Sequence, residues 1–495
     1  MGGIRMNKTG AALALLLLAV SLAGCGSTAN GPAASGEKYT LTISIQGEGT
    51  VSPTSGLTYT KGTVVTLVPS PGTGWTFEQW GGADGTSVVE DKILMDRNRS
   101  ITAVFVSSGA NHRPVVSLEA SSTFSTNLPI NIMFTATATD PDGDALTYSW
   151  DFGDGTPTSG SAAETHTYTF PGPYVAKVTV ADSKGGVAES SVNLSFPGVI
   201  ATAALPSRAE SLVVVDNLVY VADGTSGLRV LDVTDPRHPV QVDSVDTDGT
   251  CRDVLVYGNV AYVADATGGL KIVSLSPFCQ VVTTLRDGSA HGLCVDGNYL
   301  YVAVGRETGL PRLVVYSLAD PVNPVKLGDV RLWDYSNPEH VTVAGRYAYV
   351  SSGYNARLHV VDISNPSSPI LISETPLSGV TTANELVVRG LNLHMATMYK
   401  KLMVADLTYP TSPAILTSVG DPGNADCHGL YLDGDFAYIA GGGMSLLDIS
   451  VPSNPVLKGS IYNFGSSDVA VQGEYAYLVG DAFGVVYVGD PRSWR

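Results

Sequence analysis

Between Glu210 and the C-terminus, short apolar runs recur in a fixed order. Each copy joins two stretches that alternate apolar and polar residues with strand period, and the second ends in Tyr-Val-Ala or a near variant. Copies start at Leu212, Val254, Leu293, Val341, Leu386, Leu430 and Val469. The two stretches meet at turn pairs such as Gly258-Asn259, Gly345-Arg346 and Gly434-Asp435, which suit the primed turns of tight hairpins. A third run follows, for example L-R-V-L-D-V from Leu228 and L-H-V-V-D-I from Leu358. Next comes a turn with two prolines, such as Pro236 and Pro239, Pro366 and Pro369, or Pro452 and Pro455. Proline cannot donate to a strand ladder, so the pair drives the chain out of the sheet. A fourth run, V-Q-V-D-S-V from Val240 in the first copy, completes the unit.

The turn positions Asp216, Gly258, Gly297, Gly345, Gly390, Gly434 and Gly473 lie 42, 39, 48, 45, 44 and 39 residues apart. A strand-rich period of about 40–45 residues is that of propeller blades. Copy seven stops after its third run, G-V-V-Y-V from Gly484. The unassigned strand-like segment 199–204 is expected to supply its fourth strand and close the ring, removing two open edges. The expected architecture is all-β, with a seven-bladed β-propeller over 197–495 preceded by a small β module (38–106) and an Ig-like β-sandwich (114–196).

In 38–106, Y-T-L-T-I-S-I from Tyr39 and T-V-V-T-L-V from Thr63 alternate with strand period. Gly47, Gly49, Val51 and Pro53, then Gly74, Trp75, Phe77 and Trp80, then Ile101 to Phe105, resemble internalin-type B-repeat modules. Trp75, Phe77 and Trp80 are expected to be the core of a unit too small to bury much else, the competing use being a sugar-stacking platform. In 114–196, W-D-F-G-D-G-T from Trp150, His166-Thr167-Tyr168, Pro171-Gly172-Pro173-Tyr174 and V-T-V-A-D from Val178 resemble a PKD domain. A tryptophan on an inner strand fills a sandwich core, and Asp-Gly pairs accept the positive φ of tight turns. This region has no cysteine, so packing alone must hold its sheets together. The repeats resemble the LVIVD-repeat family of exported bacterial proteins, through their G-x-Y-A-Y-V-A hairpins and L-x-V-V-D-I-S-x-P-x-x-P units. That resemblance implies a fold and no common activity. Copy two departs from it with Ser276-Pro277-Phe278-Cys279 in place of the two-proline turn, and copy five with His394-Met395 in place of Tyr-Val.

A formal net charge of −18 makes nucleic acid a poor partner, because an acidic chain repels phosphate backbones. At the N-terminus, Arg5 and Lys8 precede an apolar segment, 11–20, about half the ~20 residues a spanning helix needs. Leu22-Ala23-Gly24-Cys25 resembles the bacterial lipobox. The resemblance implies a signal peptide over 1–24, lipidation of Cys25, a flexible tether over 25–37 and, with Gly26 following the cysteine, an outer-membrane or cell-surface destination. An ordinary secretory peptide with an incidental cysteine is the alternative. Cys251, Cys279, Cys294 and Cys427 form no CxxC, and Cys251 and Cys427 fall on blades across the ring, too far apart for a bridge that needs Cα atoms within ~7 Å.

Two sets of residues could carry chemistry. Asp140-Pro141-Asp142-Gly143-Asp144 sets three carboxylates two residues apart, and Asp182 could approach from a neighbouring loop. Calcium takes about six to eight oxygens, and some PKD domains bind it, so the resemblance points to the same ion. The string lacks the distal Glu of an EF-hand and also suits a plain solvated turn. The second set comes from aligning the residues just before each first strand. One ring is Glu210, Arg252, His291, Glu339, Asn384, His428 and Ser467, and the next is Ser211, Asp253, Gly292, His340, Glu385, Gly429 and Asp468. Glu210, Arg252, His291, Glu339, His340, Glu385 and His428 are the candidate ligand-binding residues at the channel mouth. Such a rim could hold a metal or an acid/base pair, although channel rims are also polar simply because water fills them. The chain has no G-x-S-x-G, HExxH or P-loop. The expectation is a non-enzymatic, lipid-anchored binding protein facing a protein or polysaccharide at the cell surface, with calcium as the one candidate cofactor. A metal-dependent hydrolase using the rim is the alternative.

Overall fold

The computed structural model describes residues 37–107, 109, 111–332, 337–353, 356–398, 400–420, 427–462 and 464–494. Cys25, the signal peptide and nearly all of the tether lie outside the described residues.

In the first β unit, Lys38–Gln46 runs parallel to Arg99–Ser107 and antiparallel to Leu57–Thr60, and Trp75–Gly81 completes the sheet. Leu41, Ile43, Ile93, Met95, Ile101 and Phe105 form its core. Trp75, Phe77 and Trp80 are half-buried against that core, with the Phe77 ring 4.9 Å from Trp80 and 5.6 Å from Phe105. They therefore flank the core and pack against it, and do not stand as an open platform.

The second unit is a sandwich of two sheets. One holds Val115–Ala120, Ile130–Thr139 and Ala163–Tyr168; the other holds Leu146–Asp151, Thr158–Gly160, Gly172–Asp182 and Val187–Phe196. Alternation in Ile130–Thr139 turns Ile132, Phe134 and Ala136 inward, where they meet Trp150, Phe152 and Val178. The Trp150 Nε1–H donates to the Ser161 carbonyl (3.1 Å), and the Tyr168 hydroxyl donates to the Phe152 carbonyl (2.8 Å). Both polar tips of the core are thus satisfied without a disulfide.

The third unit contains seven four-stranded antiparallel sheets among the described residues. Asp216 adopts φ 54° at the hairpin turn where every other copy carries glycine. An apolar cluster fills each space between neighbouring sheets. The cluster between the seventh and the first joins Val479, Phe483 and Val485 to Leu212 and Val219, so the row of sheets closes into a ring. Gly198–Ala204 pairs antiparallel with Ala482–Tyr487, supplying the seventh blade's missing strand. The repeated motifs have local causes. Asp232, Asp362, Asp406 and Asp448 each accept a hydrogen bond from the backbone N–H two residues on, which starts the turn toward the prolines. The hydroxyls of Tyr262 and Tyr349 donate to the Pro321 and Pro410 carbonyls in the following blade's turn.

Strand direction gives the propeller two faces. First strands start at the channel mouth and end at the hairpin turns, so the hairpin and proline turns share the opposite face. Gly198 pairs with Tyr487, just ahead of the Asp490-Pro491 turn, so the sandwich joins that opposite face. There the Ser195 Oγ donates to the Tyr487 hydroxyl oxygen (3.4 Å) and the Phe124 ring lies 6.2 Å from Trp494. Trp494 is fully buried, and its Nε1–H donates to the Val488 carbonyl (2.8 Å).

Candidate functional site

The starts of the seven first strands surround one cavity of ≈ 110 Å³. All seven candidate ligand-binding residues, Glu210, Arg252, His291, Glu339, His340, Glu385 and His428, line it. They do not all face it on equal terms. The innermost strand of a blade has one unpaired edge, so its buried backbone N–H groups need acceptors. Three carboxylates of the second ring provide them across blade boundaries. Asp253 Oδ2 accepts from Leu293 N–H (2.8 Å), Glu385 Oε2 from Leu430 N–H (2.6 Å) and Asp468 Oδ2 from Leu212 N–H (2.9 Å). Glu385, expected as a ligand-binding residue, is therefore buried and engaged as an inter-blade staple. Where the ring has glycine, the next blade presses too close for a side chain. A Cβ on Gly292 would meet the Glu339 carbonyl, and one on Gly429 the backbone of Asp468.

The first ring mixes open and engaged groups. Glu210 and Arg252 are exposed. Asn384 donates to the Cys427 carbonyl, and Ser467 accepts from Arg208 (3.3 Å). His291 is buried, with Nε2 3.2 Å from Glu307 Oε2 and 3.2 Å from Ser289 Oγ. Its Nδ1 lies 3.8 Å from Glu339 Oε2, an ion-pair distance rather than a hydrogen bond. Burial disfavours the imidazolium, but the two carboxylates outweigh it and raise the His291 pKa. The same contact with His291 pulls Glu307 down to about 2. Asn337 Nδ2–H donates to Glu307 Oε1 (2.7 Å) and steadies the pair.

The acidic loop of the sandwich gathers as expected. Asp140, Asp142 and Asp144 bring ligand atoms within 4.8 Å of one another, and among the described residues they are the one such group of metal-ligating side chains. The rim histidines do not form a second. Asp140 Oδ1 accepts from the N–H groups of Asp142 (2.9 Å) and Asp144 (3.1 Å), while Asp140 Oδ2 and Asp144 Oδ2 are buried without a hydrogen-bond partner. Orphaned carboxylate oxygens in an all-oxygen set fit a hard cation such as calcium. Asp182 stands outside the gathered group. Its Oδ1 accepts from Lys184 N–H (2.7 Å) and Gly186 N–H (2.9 Å), and its Oδ2 accepts from Asn111 Nδ2–H (2.9 Å).

Family models match all three units. Residues 39–109 match the divergent InlB B-repeat domain and residues 111–195 the PKD domain. The LVIVD repeat matches at 206–247, 248–277, 287–309, 337–375, 423–463 and 465–491. The chain carries LVIVD repeats behind an InlB-type B-repeat and a PKD domain. The LVIVD matches leave out the fifth blade, which has His394-Met395 in place of Tyr-Val. No curated protein matches the chain. Among solved structures, it is similar to a candidate 6-phosphogluconolactonase of Bacteroides uniformis ATCC 8492, at 15% identity and a TM-score of 0.46, over 65% of this chain and 98% of that one. It is also similar to the PKD1 domain of Vibrio anguillarum Epp, at 27% identity and a TM-score of 0.16, over 18% and 96% of the two chains. The PKD1 domain of the Vibrio cholerae metalloprotease PrtV is 29% identical with a TM-score of 0.15, over 17% and 96%.

Sequence reasoning missed Glu307 and Asn337 in the LVIVD propeller and Asn111 at the start of the PKD match. Glu307 sits in a loop that is longer in the third blade than in the first two, so no repeat position pointed to it. Asn111 falls between the expected bounds of the two small β units, 38–106 and 114–196, so neither pattern pointed to it.

Proposed function

We propose that this chain is an extracellular adhesion-type binding protein, lipid-anchored through Cys25 at the outer membrane or cell surface. The B-repeat and PKD modules form its stalk, and the LVIVD propeller presents its channel mouth to a protein or polysaccharide. The observation that carries this reading is the mounting: the PKD domain enters the propeller on the face opposite the mouth. Such a mounting holds the mouth away from the surface to which the chain is tethered. The size of the cavity supports a macromolecular partner. At ≈ 110 Å³ it admits a few waters or one side-chain tip, whereas pockets for small ligands span about 300–1,000 Å³. A partner then docks across the rim, with exposed Glu210 and Arg252 supplying charge complementarity. No covalent step is involved. No helix among the described residues is long and apolar enough to cross a membrane.

The hydrolase alternative draws less support, because the rim histidines do not converge and His291 is already engaged by Glu307 and Glu339. The test is binding of the purified protein to a cell-surface glycan array and to fractionated envelope proteins, with an E210A/R252A double variant alongside. The variant should lose about tenfold in affinity at unchanged melting temperature, since both groups are exposed. Equal binding by the two proteins would remove the mouth from the recognition surface. A tightly held metal together with hydrolytic turnover, both lost on H291A, would favour the alternative.

A further inference from the structure

We propose that the channel mouth receives a lysine side chain of a protein partner, whose ammonium donates to His291 Nδ1 and to the Glu339 carboxylate, a role that rests on the mouth being the docking surface. His291 is 2% exposed, and its Nδ1 is buried with no hydrogen-bond partner. The tautomer follows from what surrounds the other nitrogen. Glu307 as a carboxylate can only accept, so Nε2, 3.2 Å from its Oε2, carries the proton toward it. In the neutral ring Nδ1 is then a bare acceptor, and a buried acceptor without a donor is costly. Beside it stands Glu339, whose Oε2 lies 3.8 Å from Nδ1. That carboxylate is 25% exposed, and His291 is its one ion-pair partner among the described residues. Both residues line the cavity. An unpartnered acceptor next to a carboxylate calls for a group with several N–H donors and a positive charge.

The rest of the mouth agrees with that class of ligand. Among the described residues, Glu210, Asp253, Glu339, Glu385 and Asp468 line it, with Arg252 as the one fixed cation. Carboxyl groups in such excess draw positive charge into a cleft. Arg252 is exposed, so it can turn to solvent or to an acidic group on the partner. The cavity of ≈ 110 Å³ selects the shape of the cation. An ammonium on an unbranched stem enters it, whereas an amino sugar carries its amine on the ring and must bring the ring along, into a space well below the about 300–1,000 Å³ of small-ligand pockets. A guanidinium is a flat fork, while an ammonium is a compact charge whose three donors can serve two acceptors 3.8 Å apart at once. Three charged groups act on His291: Arg252 from the second blade, Glu339 from the fourth and Glu307 from the third blade's own loop. Protonation of His291 turns Nδ1 into a donor and sets a second positive charge beside the ammonium, so a proton and a lysine compete for the site.

The test is calorimetric titration of the purified full chain, in EDTA, with a capped pentapeptide that carries one lysine between glycines. The peptide should bind at pH 8, while its Nε-acetyl-lysine and arginine counterparts and a glucosamine oligomer should bind about tenfold more weakly or not at all. E339Q should weaken lysine binding about tenfold at unchanged melting temperature, because the group is partly exposed. R252A should tighten it about twofold by removing a like charge. From pH 8 to pH 6 the affinity of the parent should fall about fivefold or more, since His291, with its pKa raised from 6.5, is largely protonated at pH 6. The proposal is overturned if the lysine peptide does not bind, if acetyl-lysine, arginine or glucosamine binds as tightly, if E339Q or the fall to pH 6 leaves the affinity unchanged, or if R252A abolishes it. If the peptide fails while E210A/R252A still weakens envelope binding, the lysine assignment falls and the mouth docks its partner by other chemistry; if E210A/R252A is also without effect, the docking reading falls with it.

Discussion

Acid should weaken the propeller at His394. Six blades place a tyrosine at this repeat position, and the fifth places a histidine that is 1% exposed. Neither ring nitrogen has a hydrogen bond of good geometry, and a weak contact with the Val387 backbone offsets only part of the cost of burial. Burial first, and then the charge of Arg389, press its pKa from 6.5 down to about 4. The folded protein therefore refuses a proton that the unfolded chain accepts. The group's contribution is intact above pH 6.5 and is lost as the pH falls from there toward 4. At about 1.4 kcal/mol per pKa unit, the loss is about 2 kcal/mol at pH 5 and about 3 kcal/mol at pH 4. Urea unfolding of the parent and of His394→Tyr, run at pH 7.5, 6, 5 and 4, isolates this contribution, because the two proteins share every other titrating group. The stability gap between them should widen by about 2 kcal/mol between pH 7.5 and pH 5. A gap that stays constant would refute the reasoning, since packing differences alone do not depend on pH.

Three further outcomes follow from the packing. D468A strips the acceptor from the buried Leu212 N–H and should cost about 1–3 kcal/mol in chemical denaturation, with D468N, which keeps a carbonyl, losing less; equal losses would remove the staple from the account. Trp494→Ala empties a fully buried site against Phe124 of the PKD domain and should cost about 3–5 kcal/mol by calorimetry, and a change below about 1 kcal/mol would show that the C-terminal tryptophan does not seal the joint. A propeller that begins at Glu210 lacks Gly198–Ala204 and exposes the edge of Ala482–Tyr487, so light scattering should find it associated while one that begins at Gly198 stays monomeric. Two monomeric species would deny the strand its closing role.

Much of the architecture can be read in the chain because each of its causes is short-range. Alternation in V-L-V-Y-G-N-V-A-Y-V-A requires a hairpin wherever it occurs, and Pro236 and Pro239 end the third strand whatever lies beside them. Seven such units with one strand missing, and one spare strand at 199–204, leave a single way to close the ring, which the structure adopts. The acidic loop is legible for the same reason, since three carboxylates two residues apart gather on a single turn. The mouth was legible only as a set of positions. Alignment brought Glu210, Arg252, His291, Glu339, His340, Glu385 and His428 to one cavity but did not separate the working surface from the staples.

That separation depends on distant partners. Glu385 reads as a free carboxylate until Leu430 of the next blade presents its N–H to it, and Asp468 reads the same way until closure brings up Leu212, 256 positions earlier in the chain. His291 owes its raised pKa to Glu307 and Glu339, which come from different segments and meet only above the finished ring. By itself, the sequence determined strands, turns, blade count and the segment that closes the ring, because periodicity and turn chemistry act over a few residues. Only the tertiary structure decided which polar groups stay open to a partner. An unpaired inner-strand N–H takes whatever acceptor ring closure places against it, and no local pattern records that choice.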